Sequence, residues 1–112
     1  METVDTKTAR IRDLNDDLRK YLVGGSVVMT QGIAAMGADA VKRIVQTIAV
    51  YQDFCKTNDP HGEHDFGAFP ADGHVIFFKI DYSDKSLSAG SPDPSDPTVT
   101  ERVLTLMLAE EY

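Results

Sequence analysis

Residues 64–82 read HDFGAFPADGHVIFFKIDY and predict a β-hairpin around which the rest of the domain is arranged. The dipeptide Asp72-Gly73 is typical of a two-residue hairpin turn, because both residues readily take the positive φ angles that such a turn needs. Side chains of the second strand alternate between two faces: Ile76, Phe78, Ile80 and Tyr82 on one, and Val75, Phe77, Lys79 and Asp81 on the other. One apolar and one half-apolar face indicate a central strand with helices packed on the apolar side.

The turn also predicts the register of the hairpin. A two-residue turn places Phe66 opposite Lys79 and His64 opposite Asp81. A four-residue loop over residues 70–73 would shift both pairs, so the register depends on the turn type.

Two helices and a short strand are predicted ahead of the hairpin. In residues 8–22, apolar side chains recur at helical spacing: Ile11, Leu14, Leu18, Tyr21 and Leu22. A second apolar stripe in residues 38–55 predicts a helix whose last buried residue is Cys55. Between these helices, the β-branched residues 27–30 predict a short strand.

A long loop and a last helix are predicted after the hairpin. Residues 83–96, SDKSLSAGSPDPSD, exceed the usual connection of roughly 4–6 residues. Asp96-Pro97 then fits a helix start, with an N-cap followed by proline at the first helical position. We therefore predict a helix over residues 97–112 that buries Val99, Val103, Leu106 and Met107.

These elements predict a single α+β domain over residues 1–112 in the order α-β-α-β-β-α, with residues 1–5 flexible. We expect a three-stranded, mainly antiparallel sheet with helices on one face. The strand of Ile76 is expected at the centre, between the strand of Val27 and that of Phe66.

Composition narrows the classes of function. The formal net charge is −7, and it lies after Leu22, because five acidic and five basic residues precede that point. Such a chain repels nucleic-acid phosphates, so direct binding of nucleic acid is disfavoured. Cys55 is the only cysteine, which excludes an intrachain disulfide. With no signal-peptide core and no membrane-spanning apolar run, we expect a cytoplasmic protein without a membrane partner.

Residues 58–66, NDPHGEHDF, contain two of the three histidines and allow three interpretations. His61 and His64 with nearby carboxylates could bind a divalent metal ion. Alternatively, His64, Asp65, Lys79 and Asp81 could perform acid/base chemistry of a small nuclease-like hydrolase. The third interpretation is a polar turn leading into a strand, and it is favoured because the cluster lacks surrounding basic residues.

The linked motifs NDPHGEHDFGAF, FFKIDYSD, GSPDP and VLTLMLAEEY resemble the bacterial domain-of-unknown-function family 3768. The resemblance covers nearly the whole chain, from the helix with IRDLND onward. Members of that family are small soluble proteins, often carried on plasmids and other mobile elements. The resemblance implies a fold unit and brings no established activity.

We expect a small acidic protein-binding module of a mobile element, without enzymatic activity or a cofactor. The resemblance suggests an inhibitor of a host defence protein or a nucleic-acid-processing protein. Candidate binding residues are Val75, Phe77, Leu87, Glu110 and Glu111. If helices cover only the other face of the sheet, Val75 and Phe77 would form an exposed apolar patch that suits a protein partner or a homodimer. The alternative is that the first helix buries them.

Overall fold

The computed structural model describes residues 3–112 and has an α+β architecture. Its elements in chain order are α1 (Thr3–Tyr21), β1 (Ser26–Met29), α2 (Gln31–Ala34), α3 (Ala38–Val50), β2 (Phe66–Ala71), β3 (His74–Ser83), β4 (Glu101–Leu108) and a 3₁₀ turn (Ala109–Glu111). Residues 3–5 belong to α1, whereas residues 1 and 2, the rest of the segment expected to be flexible, lie outside the described residues. No helix among residues 3–112 is long and apolar enough to cross a membrane.

The sheet has four strands in the order β1-β4-β3-β2, so the prediction of three strands is wrong. The hairpin register is confirmed, with Phe66 paired to Lys79 across the turn at Asp72-Gly73. The strand of Ile76 is interior and borders the strand of Phe66 as predicted. Its other neighbour is β4 rather than the strand of Val27, which instead pairs in parallel with β4.

Strand β4 replaces the predicted last helix, and the sequence explains the error. The apolar residues of ERVLTLML fit a helical stripe, but alternate residues also fit one strand face: Arg102, Leu104, Leu106 and Leu108, all buried. Inserted between β1 and β3, this segment forms two backbone ladders. The predicted N-cap is also wrong, because Asp96 forms a turn in which its carboxylate accepts the Thr98 N–H at 2.9 Å.

All three α-helices pack on one face of the sheet. Leu18, Ile33, Ile44 and Ile48 from the helices meet a strand layer made by Ile76, Phe78, Ile80, Leu104, Leu106 and Leu108. The approach is close at β2, where a Cβ on Gly67 would lie 2.4 Å from the Phe78 ring and 2.7 Å from the Tyr51 ring. Glycine at this position therefore lets both rings pack over the strand.

Two details of the predicted helices are wrong. Helix α3 ends at Val50, so Cys55 lies outside it and is exposed rather than buried. Helix α1 ends at Tyr21; that residue and Leu22 beyond it are exposed, and the helix positions facing the core include Asn15 and Arg19. Helix α1 thus presents a mixed polar and apolar face to the domain, which apolar spacing alone does not reveal.

A buried polar network joins α1 to the sheet. Asn15 donates from Nδ2 to the Tyr82 hydroxyl at 2.7 Å and to the Glu63 carbonyl at 3.0 Å. Its Oδ1 accepts a hydrogen bond from Arg102 Nε at 2.8 Å, and Arg102 Nη2 also donates to the Pro94 carbonyl. The Tyr82 hydroxyl in turn donates to Glu63 Oε1 at 2.8 Å. Burial, together with the neighbouring Glu63, raises the pKa of Tyr82, so its hydroxyl remains a donor.

The chain after β4 is held by Glu111. Its carboxylate accepts hydrogen bonds from the Thr30 hydroxyl at 2.5 Å and from the N–H groups of Gly32 and Leu108, each at 2.9 Å. A Cβ at Gly32 would lie 2.7 Å from this carboxylate, so a larger residue there would displace the Glu111 side chain. These three hydrogen bonds lower the pKa of Glu111, that from Thr30 most. Glu111 therefore has an intrachain role that its expected place at a helix end did not suggest.

The buried network generates a stability prediction. Replacing Asn15, which is 0% exposed, by alanine leaves the Arg102 Nε and the Tyr82 hydroxyl each without one partner. We expect Asn15→Ala to lower the free energy of unfolding by about 2–4 kcal/mol, since each buried polar group left unsatisfied costs about 1–3 kcal/mol. Urea denaturation measures this change. The exposed Asp13, changed to alanine on the same helix, should shift stability by no more than about 0.5 kcal/mol; equal losses would contradict the role of the network.

Candidate functional site

The loop that carries the histidines is shaped by Asp59, which is 8% exposed. Its carboxylate accepts the N–H of Glu63 at 2.9 Å and that of His64 at 3.2 Å, and its carbonyl accepts the Gly62 N–H. Gly62 and His64 both have positive φ, 71° and 57°. The segment is therefore a turn held by Asp59, as the favoured interpretation predicted, although the His64 ring binds a carboxylate rather than a backbone end.

His64 is held by an ion-pair chain that begins at α3. Buried Arg19 donates from Nη1 to the carbonyls of Ile48 at 2.8 Å and Tyr51 at 2.9 Å, which satisfies carbonyls at the helix end. Its Nη2 lies 2.9 Å from Asp16 Oδ1, and the same oxygen lies 2.9 Å from His64 Nδ1. Asp16 thus joins the arginine and the histidine.

An aromatic stack completes the arrangement. The Phe54 ring lies parallel to the His64 imidazole, with centroids 4.0 Å apart, and the Arg19 guanidinium carbon is 5.1 Å from the Phe54 centroid. A cleft of about 340 Å³ adjoins this stack, lined by Asp16, Arg19, Lys20, Tyr51, Gln52, Phe54 and His64. We call it the histidine cleft.

The electrostatics of the cleft depend on Asp16. Burial raises the pKa of its carboxyl, but hydrogen bonds from Arg19 and His64, together with their charges, outweigh burial and hold the pKa below its ordinary value of 3.8. An ionised Asp16 accepts from His64 Nδ1 at neutral pH, which leaves Nε2 as the imidazole nitrogen available for proton transfer. This carboxylate–imidazole pair is suited to acid/base chemistry.

The four residues proposed for hydrolysis do not form one cluster. His64 contacts Asp16 on the helix side of the sheet, whereas Lys79 and Asp81 form an ion pair at 3.2 Å on the opposite face. His64 also lies before β2 begins, so it does not face Asp81 in the sheet. Asp65 is half-buried; burial, with the charges of Glu63 and Asp59, raises its pKa.

The histidines do not assemble a metal site among the side chains that the structure describes, those of residues 6–112. No group of three His, Cys, Asp or Glu side chains in that range is arranged to hold a metal ion. His61 is exposed, and His64 is engaged by Asp16.

The other candidate surface is the sheet face opposite the helices, which we call the open face. Phe66, Phe77 and Tyr112 form an aromatic cluster there with ring centroids 5.0–6.1 Å apart. Met107 pairs with Phe77 in the ladder and is buried, whereas Val75 at the hairpin end is 51% exposed. The predicted apolar patch at Val75 and Phe77 therefore exists on this face, partly covered by Tyr112.

Leu87 lies in a loop that is more structured than a flexible linker. The Asp84 carboxylate accepts the Ser88 N–H at 3.0 Å, and Asp93 similarly accepts the Ser95 N–H at 3.1 Å. Leu87 itself is 64% exposed and has φ of 60°, a conformation that is unusual for a large apolar residue. The loop thus displays Leu87 in a fixed turn.

Sequence patterns missed Asp16, Arg19 and Phe54 as parts of the histidine cleft. The apolar stripe predicted for residues 8–22 does not include Asp16, and helical spacing alone treats such charged residues as solvent-facing. The spacing of three residues between Asp16 and Arg19 was a usable sign, since it places them on one helix face. No sequence feature indicated that this face meets His64, which is 48 residues away.

The Asp16 pKa generates a pH prediction. The pKa of Asp16 is lower in the folded protein than in the unfolded chain. The stability that ionised Asp16 contributes is therefore complete above the unfolded-state pKa, about 3.9. It is lost as pH falls through the folded-state pKa. We expect Asp16→Asn to lower the unfolding free energy by about 1–3 kcal/mol at neutral pH, with a smaller difference from wild type in acid. Thermal unfolding across pH measures this, with exposed Asp17→Asn as the control.

Carboxyl ¹³C shifts of Asp16 give a direct check on the same point. An Asp16 that titrates at or above 3.8 would contradict the ion-pair chain.

Comparison with known proteins identifies a family. A family model described as "Protein of unknown function (DUF3768)" matches residues 29–111. The match begins after α1, so it includes His64 and Phe54 but not Asp16 or Arg19. No curated protein and no solved structure matches the chain. The chain therefore belongs to the DUF3768 family of proteins of unknown function.

Proposed function

We propose that this protein is a small, non-enzymatic protein-binding module that docks a partner on the open face of its sheet. The observation that supports this proposal is the aromatic cluster of Phe66, Phe77 and Tyr112, with Val75 51% exposed beside it. Aromatic side chains concentrate binding energy at interfaces because they bury large areas with little loss of conformational freedom. Exposed apolar groups gathered on one side of a sheet are typical of an interaction surface.

Charge narrows the type of partner. On the open face, Lys79 pairs with Asp81 and Lys85 pairs with Glu101, so these four charges cancel locally. The chain as a whole carries −7, and Glu110 in the 3₁₀ turn after β4 is exposed. A partner with an apolar centre and a basic rim would complement this surface and associate faster at low salt.

The biological setting of the proposal comes from the family resemblance alone. It suggests a cytoplasmic protein of a mobile element whose partner belongs to host defence or nucleic-acid processing. Leu87 and Glu110 are additional contact candidates. Glu111 is less suitable for a partner, because its carboxylate already accepts three hydrogen bonds within the chain.

Site-specific photocrosslinking tests the binding surface. We expect a photoreactive residue at Val75 to capture a specific partner in host cells, and one at Val50 to capture none. Val50 is a matched control, since it is an exposed valine at the end of α3, on the helix side.

The captured partner, once purified, allows a quantitative check. Val75→Glu should weaken its affinity by at least about tenfold, equivalent to about 1.4 kcal/mol, with an unchanged melting temperature. If Val75→Glu and Val50→Glu weaken the affinity for the partner equally, the open face is not the interface.

A hydrolase centred on the histidine cleft is the second candidate. The observation in its favour is the Asp16–His64 contact at 2.9 Å beside an open cleft. The cleft offers His64 as a base, but Arg19 is already bound by Asp16 and by two backbone carbonyls. No Ser, Thr or Cys is among the described residues that line the cleft, so we rank this function second.

Oligonucleotide cleavage, measured with and without added divalent cations, separates the two functions. We expect no turnover by the wild-type protein. Turnover that is lost in His64→Ala but kept in the exposed-histidine control His61→Ala would instead establish the hydrolase. Retention in Lys79→Ala would then show that the cleft acts without the residues of the opposite sheet face.

A further inference from the structure

Strand β1 is an open edge of the sheet. It pairs only with β4, at one end of the order β1-β4-β3-β2. Val27, Val28 and Met29 are 37–45% exposed. An edge strand with apolar side chains and free backbone groups is a template for another strand.

One hydrogen bond shows which residues of β1 point their backbone N–H and C=O groups away from the sheet. The Thr30 N–H donates to the Leu106 carbonyl of β4 at 3.0 Å. Because backbone groups alternate in direction along a strand, Val28 also points its N–H and C=O toward β4. Val27 and Met29 therefore point theirs away from the sheet, where they can pair with another strand.

The opposite edge of the sheet is protected, which makes β1 exceptional. In β2, the Asp65 carbonyl accepts the Ile80 N–H, so alternation turns Phe66, Ala68 and Pro70 outward. Pro70 has no N–H, and the Ala68 N–H donates to the Tyr51 hydroxyl at 3.3 Å. A proline and a side-chain cap thus block strand addition at β2, and the β1 ladder has neither device.

Charge indicates which kind of strand fits β1. From residue 21 to residue 38 the chain has no Asp, Glu, Lys or Arg, although the whole chain carries −7. A basic partner would find no acidic group in this segment. The Glu111 carboxylate lies beyond the end of the strand, at Thr30 and Gly32, but β1 itself carries no charged residue. For two copies of the same acidic chain, contact along β1 therefore brings few like charges together.

We propose that β1 pairs antiparallel with β1 of a second copy across a two-fold axis at Val28. In this register Val27 faces the partner's Met29 and Met29 faces the partner's Val27. Both are outward-facing residues, so the two pairs form four backbone hydrogen bonds. The Val28 side chain meets the partner's Val28 on the open-face side of a continuous eight-stranded sheet.

The proposed dimer is independent of the protein-binding function, since it uses a strand edge and leaves Val75 and Phe77 free. An interface of one short strand pair belongs to the small, weak class below about 1,200 Å². Salt should strengthen it, because screening reduces repulsion between two chains of charge −7.

Sedimentation equilibrium of the whole chain tests the dimer. We expect the mass to rise from 12.3 kDa toward twice that value with increasing concentration, and at lower concentration in high salt. Val28→Lys should weaken association at least about tenfold, because two lysines then meet at the axis, whereas Val50→Lys should not. A wild-type protein that stays monomeric into the millimolar range would overturn the proposal.

Disulfide trapping tests the register. In a Cys55→Ser background, Val28→Cys should oxidise to a covalent dimer, since directly opposed residues of a non-hydrogen-bonded pair lie close enough for a disulfide. Val27→Cys should stay reduced, because residue 27 lies opposite the partner's Met29 and not opposite a second cysteine. Trapping at residue 27 but not at residue 28 would overturn the register. A monomer that instead binds an added extended peptide at β1 would assign the edge to another protein.

Discussion

Arg19 is the side chain on which the helix layer depends. It is 2% exposed, so its charge must be compensated inside the domain. It donates to two carbonyls at the end of α3 and to Asp16 on its own helix, which fixes α1 against α3. Removing one partner of such a buried group costs far more than the interaction contributes on balance, because the remaining charge is left uncompensated.

The same helix face also determines the shape of the histidine cleft. Within about one turn of α1, three side chains form polar contacts: Asn15 to the sheet, Asp16 to His64 and Arg19 to α3. The turn held by Asp59 brings His64 to this face, and its ring then stacks on Phe54. The cleft is therefore a product of α1 packing, and a shift of that helix would alter the stability of the domain and the site together.

The two faces of the sheet, and its two edges, are covered to different extents. One face is closed by three α-helices, and the β2 edge is protected by Tyr51 and Pro70. The opposite face is covered only in part, by Tyr112, and β1 has no comparable protection. The two surfaces proposed for association are thus places where the fold leaves apolar or backbone groups available.

The sequence by itself determined the hairpin, its register, β1 and the start of α3, because these depend on local turn chemistry and on spacing within one segment. It left the histidine stretch open among three interpretations, and it missed Asp16, Arg19 and Phe54. Only the tertiary structure decided that residues 101–108 are a strand, because their apolar pattern fits both helical and strand periods until two neighbouring strands supply ladders. It also decided that Asn15 and Arg19 face inward, since the partners that compensate their burial, apart from Asp16, lie 29–87 residues away in the chain.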